Sequence, residues 1–283
     1  MSDPNVRILI DNKGDSATIT ASPAFESNFP ISNVKNPLRS YFARTTGLAT
    51  QEIYLNWGGD THSFTALNMS RINLSSAATV RFRIWSGENQ TGTLVYDSGD
   101  VLAVPPKALG DLNWGIDPLG ASLFTGWTGA IFTTLWFTQV YGQSAQITIN
   151  DPANTDGYIK IGRLFTGFHF EPDYNMAWGM TISNENNHIK SRTDGGSMRV
   201  DLRSTYRKIN FQLPELRDEQ RAVAFNQIKI ISDNATDFFI SCFPEQNNEH
   251  ERNYSMVARL DSTISINNNH WSNYATNWSA VEN

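Results

Sequence analysis

The sequence is short of several things, and each shortage excludes something. Its 283 residues include one cysteine, Cys242, so neither a disulfide framework nor a CxxC metal site can be built from it. Charged residues reach only 18%, against roughly a quarter in ordinary globular chains. Lys and Arg number 22 against 28 Asp and Glu, a net charge of −6. That balance argues against a general nucleic-acid binder, which must neutralise phosphates with clustered basic side chains. No apolar run approaches the length that crosses a bilayer, and the opening MSDPNVRILIDN lacks a basic stretch followed by an apolar core. The expectation is a soluble chain made in a reducing cytoplasm, with no secretory signal and no membrane insertion.

Catalytic and cofactor motifs are equally sparse. There is no GxxxxGK[ST] and no GxGxxG after a strand, so no glycine-rich loop cradles a phosphate. No serine sits in a GxSxG elbow, and Cys242 lies in an apolar stretch (FFISCF) with no basic neighbour to activate it. His62, His169, His188, His250 and His270 are scattered without HxH or HExxH spacing, and packing roles are expected for all five. Asp151, Asn154, Asp156 and Gly157 (NDPANTDGY) offer hard oxygen ligands beside a glycine. The spacing departs from a calcium-binding EF-hand loop, and the same residues are what a tight turn demands. A turn is the reading adopted. No cofactor and no metal are expected, and the chain is not expected to be an enzyme.

What is plentiful is aromatic and turn-forming. Phe, Trp and Tyr make up 12%, and asparagine is close to one residue in ten. Aromatic and β-branched residues suit a pleated, half-buried surface, while Asn and Gly suit the turns between strands. The fold class expected is mostly β, with two β domains: an N-terminal jelly-roll sandwich over 1–172 and a second β domain over 173–283.

Two-residue alternation marks strands at Glu52 to Asn56, Ser63 to Asn68 and Tyr158 to Phe170, most clearly in Thr79 to Trp85 (TVRFRIW). Val6 to Ile10, Thr93 to Tyr96, Ile131 to Tyr141 and Ala145 to Ile149 also read as strands, bounded by turn residues. Ser22 to Leu38 carries Pro23, Pro30 and Pro37 and reads as an extended arm or an irregular crossing segment, since proline donates no ladder hydrogen bond. Asp173 to Gly196 is polar and Asn-rich and reads as a loop between domains or as exposed turns. Further strands are expected at Met198 to Arg203, Thr205 to Leu213, Phe238 to Cys242, Tyr254 to Leu260 and Thr263 to Asn267. Pro214 to Ile228 reads as a helix, with a first-turn proline, acidic residues near its start and an apolar stripe of Leu216, Val223, Ala224 and Ile228. The tail from His270 to Asn283 reads as a final strand or as an arm ordered on a partner.

Asp97, Asp100, Asp111 and Asp117 lie near Trp85, Trp114 and Trp127. Aromatic platforms beside polar groups are what sugar sites use, so these three tryptophans are the candidate carbohydrate-binding residues. Acids in polar loops are normally solvated, and exposed tryptophan also marks protein interfaces.

Leu67 to Gly99 and Ile147 to Gly179 carry a run "NLS..ATVR.R" at Asn73 to Arg83, "YDSG" at Tyr96 to Gly99, and "DP.N.DGY..IGRL..G" at Asp151 to Gly167. Together these segments resemble structural tail-tip or baseplate proteins (distal tail or minor tail proteins) of long-tailed bacteriophages that carry a discoidin-like or galactose-binding-like jelly roll. The resemblance covers most of the first 180 residues and is weaker beyond. It implies a virion component assembled in the host bacterial cytoplasm, forming a homo-oligomeric ring that connects the tail tube to the hub or to host-contacting proteins. Tail tube, hub, tape measure and host surface glycan are the partners implied, and no catalytic residue is carried across. The alternative expectation is a lectin-like carbohydrate-binding module that mediates adsorption to the host surface.

Overall fold

The computed structural model of the chain describes residues 4–246 and 248–283, and the side chains of all of these but 269 and 270. Among them, no helix is long and apolar enough to cross a membrane. The protein is mostly β. In chain order the first strands are β1 (Arg7–Leu9), β2 (Thr18–Ser22), β3 (Ala43–Arg44), β4 (Gln51–Asn56), β5 (His62–Ser70) and β6 (Thr79–Trp85). Then come β7 (Leu94–Asp97), β8 (Val101–Leu102), β9 (Phe132–Gly142), β10 (Ser144–Asn150), β11 (Lys160–Ile161) and β12 (Arg163–Gly167). The later ones are β13 (Thr181–Asn186), β14 (Ile189–Arg192), β15 (Met198–Asp201) and β16 (Thr205–Leu216). Last are β17 (Phe238–Ser241), β18 (Ser255–Leu260), β19 (Ile266–His270) and β20 (Asn273–Glu282). The helices are α1 (Lys13–Ser16), α2 (Asp218–Ile231) and α3 (Glu249–Asn253).

The chain forms two compact units, residues 1–171 with 238–256, and residues 172–237 with 257–283. In the first, an antiparallel sheet ordered β2-β4-β10-β6-β7, with β8 also on β6, accompanies a three-stranded sheet ordered β12-β5-β9. Alternation in β6 sends Val80, Phe82 and Ile84 into the core, where Ala145, Ile147 and Ile149 of β10 are their register partners. Phe137 of β9 joins them, stacked on Tyr96 with centroids 4.1 Å apart. The alternation of Tyr158 to Phe170 does not run as one strand. It splits at Gly162, where a Cβ would meet Arg71 at 2.5 Å, so β11 pairs with β3 and β12 with β5.

Residues 238–256 fall in the first unit rather than the second because their side chains are buried there. Phe238, Phe239 and Ile240 are fully buried, each worth about 2 kcal/mol by area. Phe239 packs its ring near Phe132 and Trp136 of β9, and β17 pairs with β1 from Arg7↔Ser241 to Leu9↔Phe239. Cys242 is fully buried, and burial pushes its thiol up to about 12.

Residues 22–38, expected as an extended arm or an irregular crossing segment, are packed. Val34 is buried and Phe29 stacks on Phe42 at 4.7 Å. Arg163, 2% exposed, donates to the Val34 and Lys35 carbonyls at 3.1 and 2.7 Å and forms a bidentate pair with Asp15 at 2.5 and 2.7 Å. A buried guanidinium must be paired on every side or it costs several kcal/mol. Here it fixes both α1 and the turn at 31–35 against β12.

Two of the three runs singled out in the sequence, at Asn73 and at Asp151, meet in space. Asp151, fully buried, accepts from the Ser75 amide at 2.9 Å and its hydroxyl at 2.5 Å, and from Asn154 Nδ2 at 3.0 Å. Asn73 donates to Asp156 at 2.8 Å and to the Tyr158 carbonyl at 3.0 Å, and accepts from the Lys160 amide at 2.7 Å. Side chains of this kind replace backbone turn hydrogen bonds. The Asn73 and Asp151 runs are therefore the two halves of one clasp at the end of the sandwich.

In the second unit the antiparallel order is β18-β20-β16-β13, with β19 also on β20. The C-terminal segment is thus an interior strand of this sheet, not an arm. Two strands, β13 and the β14 arm of a β14–β15 hairpin, occupy the polar stretch expected as a loop or exposed turns. The helix runs Asp218–Ile231, four residues later at its start than the expected Pro214, and buries Ala224, Ile228 and Ile231. Pro214 belongs to β16, where the register to β20 breaks between Leu213 and Leu216. A bulge tolerates the missing N–H.

Candidate functional site

The outer face of the six-stranded sheet in the first unit is polar. Strand register lays its side chains in rows: Thr20, Tyr54, Gln146, Arg83 and Asp97 in one, and Thr18, Asn56, Ser144 and Trp85 in the next. The loop from Gly87 to Gly92 folds over the end of these rows. It is anchored by the Gln90 amide donating to Ser144 Oγ at 2.9 Å, and by that hydroxyl donating to the Gly87 carbonyl at 2.6 Å. Thr18, Thr20, Tyr54, Asn56, Asn89 and Gln90 enclose a groove of about 200 Å³.

Two features mark this groove as more than a surface dent. Asn89 and Gln90 are consecutive residues with φ of 51° and 60°, a left-handed region costly for any side chain but glycine. The loop holds that conformation through Asn56 Nδ2, which donates to Asn89 Oδ1 at 2.5 Å. Second, the lining is uncharged and rich in hydroxyls and amides. Amides both donate and accept, and hydroxyls can do either. Tyr54 donates to Glu52, and that hydrogen bond, with burial, holds its phenol above the ordinary range, so it stays protonated. On the same face, Arg83 Nη2 reaches Thr148 at 3.3 Å while its buried Nε has no hydrogen-bond partner among the described residues.

Trp85 shares this face, in the row of Asn56 but two strands away, about 10 Å across the sheet. The Arg83 guanidinium lies over its ring at 5.6 Å. Trp114 and Trp127 are not brought to the groove. They sit on the long loop between β8 and β9, where Trp114 is exposed and Trp127 lies under Arg252 at 4.5 Å. Of the nearby acids, Asp97 is tied to Arg81 at 2.6 and 2.8 Å and Asp117 to Lys107 at 3.0 Å. Arg81 holds Asp97 below the usual carboxylate range, and the Asn113 amide and Lys107 do the same to Asp117. The histidine side chains described are engaged in packing or hydrogen bonds: His62 with Trp57, His169 with Glu171 and Trp136, His188 with the Arg203 amide, His250 with Phe243. The side chain of His270 lies outside the described set.

Tyr54 and Asn89 carry no motif that sets them apart in the sequence, as a tryptophan beside acids does. The available signal was that Tyr54 alternates outward in EIYLN, toward the GENQTG loop of a neighbouring hairpin.

No family model matches the chain, and no curated protein matches it. Solved structures similar to part of it are found, at low likeness. Chitosan-binding module 1 of a chitosanase/glucanase from Paenibacillus sp. IK-5 is 12% identical, with 56% of this chain and 98% of that one covered and a TM-score of 0.37. The family 32 carbohydrate-binding module of C. perfringens NanJ, solved with galactose, is 12% identical over 57% and 98%, with a TM-score of 0.37. A GH29 fucosidase from Ruminococcus gnavus is 12% identical over 55% of this chain and 26% of that one, with a TM-score of 0.36. At TM-scores below 0.5 this likeness carries no residue, ligand or activity onto the present chain.

Proposed function

We propose that this chain is a non-catalytic glycan-binding protein that takes a neutral sugar in the Tyr54 groove. The observation that carries the reading is the groove itself: about 200 Å³ lined by three hydroxyls, two amides of asparagine and one of glutamine, without a charge. A sugar presents alternating hydroxyls and an apolar ring face. A site for it needs groups that donate and accept, with an aromatic edge, and gains little from fixed charge. A shallow site of this size gives an affinity on the order of millimolar. The experiment is a glycan array with the full chain, followed by titration of any retained sugar against Tyr54→Ala and Asn89→Ala. At least a tenfold loss is expected in each. Unchanged binding in both variants, or a blank array, would remove the groove from consideration.

A second reading, a subunit of a phage tail-tip ring, is favoured by different features. Leu109, Trp114, Ile116 and Leu119 are 70–82% exposed on one loop. All eight strand residues of the β14–β15 hairpin are exposed, although a two-stranded hairpin is marginal by itself in water. Exposed apolar clusters and unpaired edges are what assembly contacts cover. Ring formation would bury them heterologously between neighbours. Light scattering of the pure chain and electron microscopy of virions test it, and a lasting monomer absent from particles would eliminate it. The two readings are compatible, since an assembly subunit can also be adhesive.

A further inference from the structure

We infer that the second unit carries its own sugar-binding site, a groove walled by Trp178. The outer face of its sheet presents Asn210 and Gln212 from β16 and Asn277 and Ser279 from β20, paired in register as Asn210↔Ser279 and Gln212↔Asn277. Strand alternation puts Phe211 and Trp278 on the inner face, stacked at 5.8 Å, so the outward residues are held on a rigid floor. The segment 177–180 forms one wall, anchored by the Ala177 amide donating to the Gln212 carbonyl at 2.8 Å. Ser262, Thr263 and Ser265 form the other wall. The cavity between them is about 390 Å³, roughly twice the volume of the Tyr54 groove.

The chemistry of this lining selects a ligand class. No charged residue lines the groove. Lys208, the nearest base on β16, is neutralised by Asp261 at 2.6 Å, so nothing favours a phosphate or a nucleic acid. The floor offers amides and hydroxyls that both donate and accept. Trp178 is fully exposed beside Gly179, whose φ of 101° turns the chain there. A bare indole plane beside a neutral polar floor matches an oligosaccharide, with a sugar ring stacked on Trp178 and its hydroxyls directed to Asn277 and Gln212. The greater volume fits two or more linked residues where the first unit accommodates one.

This site extends the glycan-binding reading but does not rest on the Tyr54 groove, and the test separates the two. The full chain, Trp178→Ala, Trp178→Phe, Asn277→Ala, Tyr54→Ala and the Tyr54→Ala/Trp178→Ala pair are compared on a printed array of neutral and amino-sugar oligosaccharides. Thermal melting checks folding, which substitution of so exposed a residue leaves unchanged. Trp178→Ala is expected to weaken retention of oligosaccharides at least tenfold, Asn277→Ala severalfold, and Trp178→Phe to keep part of it. If Trp178→Ala and Asn277→Ala bind as the unsubstituted chain does, also in the Tyr54→Ala background, the second site is refuted and the first stands. Loss in Trp178→Ala with none in Tyr54→Ala supports the second site and refutes the first. A blank array for the unsubstituted chain refutes both. Loss of self-association in Trp178→Ala with an unaltered array reassigns the groove to protein contact.

Discussion

The two units spend polar and aromatic side chains differently. In the first, Trp57 is buried and donates to the Lys13 carbonyl at 2.8 Å, Trp136 lies under Arg7 at 5.2 Å, and Trp127 lies under Arg252. Arg163, Asp151 and Asn154 are likewise consumed inside the sandwich. In the second, Trp178 and Trp271 are almost wholly exposed, and Asn210, Gln212 and Asn277 line an open groove. A tryptophan covered by a guanidinium is held by the fold. One with no cover is exposed at a hydrophobic cost that a free monomer recovers nowhere. Buried polar residues of the first unit thus serve its stability, whereas the polar residues lining the second unit's groove stay open to solvent or a ligand.

The largest expected effect tests the structural half of that contrast. Arg163→Met removes both bonds to Asp15 and leaves the Val34 and Lys35 carbonyls without their donor. It should cost about 3–5 kcal/mol, and Asp151→Ala about 3 kcal/mol by stranding Ser75 and Asn154. Calorimetry should show these losses in the transition of the first unit, with Trp178-dependent binding intact in the folded protein. Equal losses on replacing Asn277 or Gln212 would break the comparison.

A smaller effect is tied to acidity. Burial alone would raise Glu171, but hydrogen bonds from His169 and Arg7 and from the Asn5 amide outweigh it and lower the carboxyl to about 2. A carboxylate whose folded value is depressed contributes stability above its unfolded value near 4.5. That contribution disappears as pH falls toward 2. For this partly exposed group it amounts to on the order of 2 kcal/mol. Denaturant titration should therefore find Glu171→Gln less stable by about that amount at pH 6, with the difference shrinking steadily below pH 4. A constant difference down to pH 2 would show that the Arg7–Glu171 pair does not carry it.

How much of this was legible depends on whether local pattern or distant packing decides the element. β6 runs from Thr79 to Trp85, where its alternation placed it, because one face is buried and the other wet along its whole length. The turn at Asp151 was equally readable, since its residues bond within a short span and to one clasp. The proline-rich segment was not: Val34 and Phe29 are buried by partners far along the chain, among them Arg163 and Phe42. The helix start was hidden by a bulge at Pro214, a feature only the partner strand defines. The same limit applied to the sites. Trp85, Trp114 and Trp127 are alike as letters, but Trp127 is covered by Arg252, far along the chain, while Trp85 is covered by Arg83 of its own strand. Trp178 stood in a stretch whose polarity suggested a loop.

Trp114 provides the finest test of the contrast, because it is the tryptophan of the first unit that lacks cover. It is 76% exposed, on the loop that also exposes Leu109, Ile116 and Leu119. Substitution of so exposed a residue changes stability by no more than about 0.5 kcal/mol, so Trp114→Ser should melt with the unsubstituted chain. What it should alter is association. If the loop is an assembly contact, Trp114→Ser shifts the light-scattering mass toward monomer and leaves the glycan array unchanged. If instead the array signal falls while mass is constant, the rule extends to both units: bare tryptophan means sugar. If neither changes, an exposed indole by itself reports no partner, and a ligand at Trp178 must then be held by the polar floor alone.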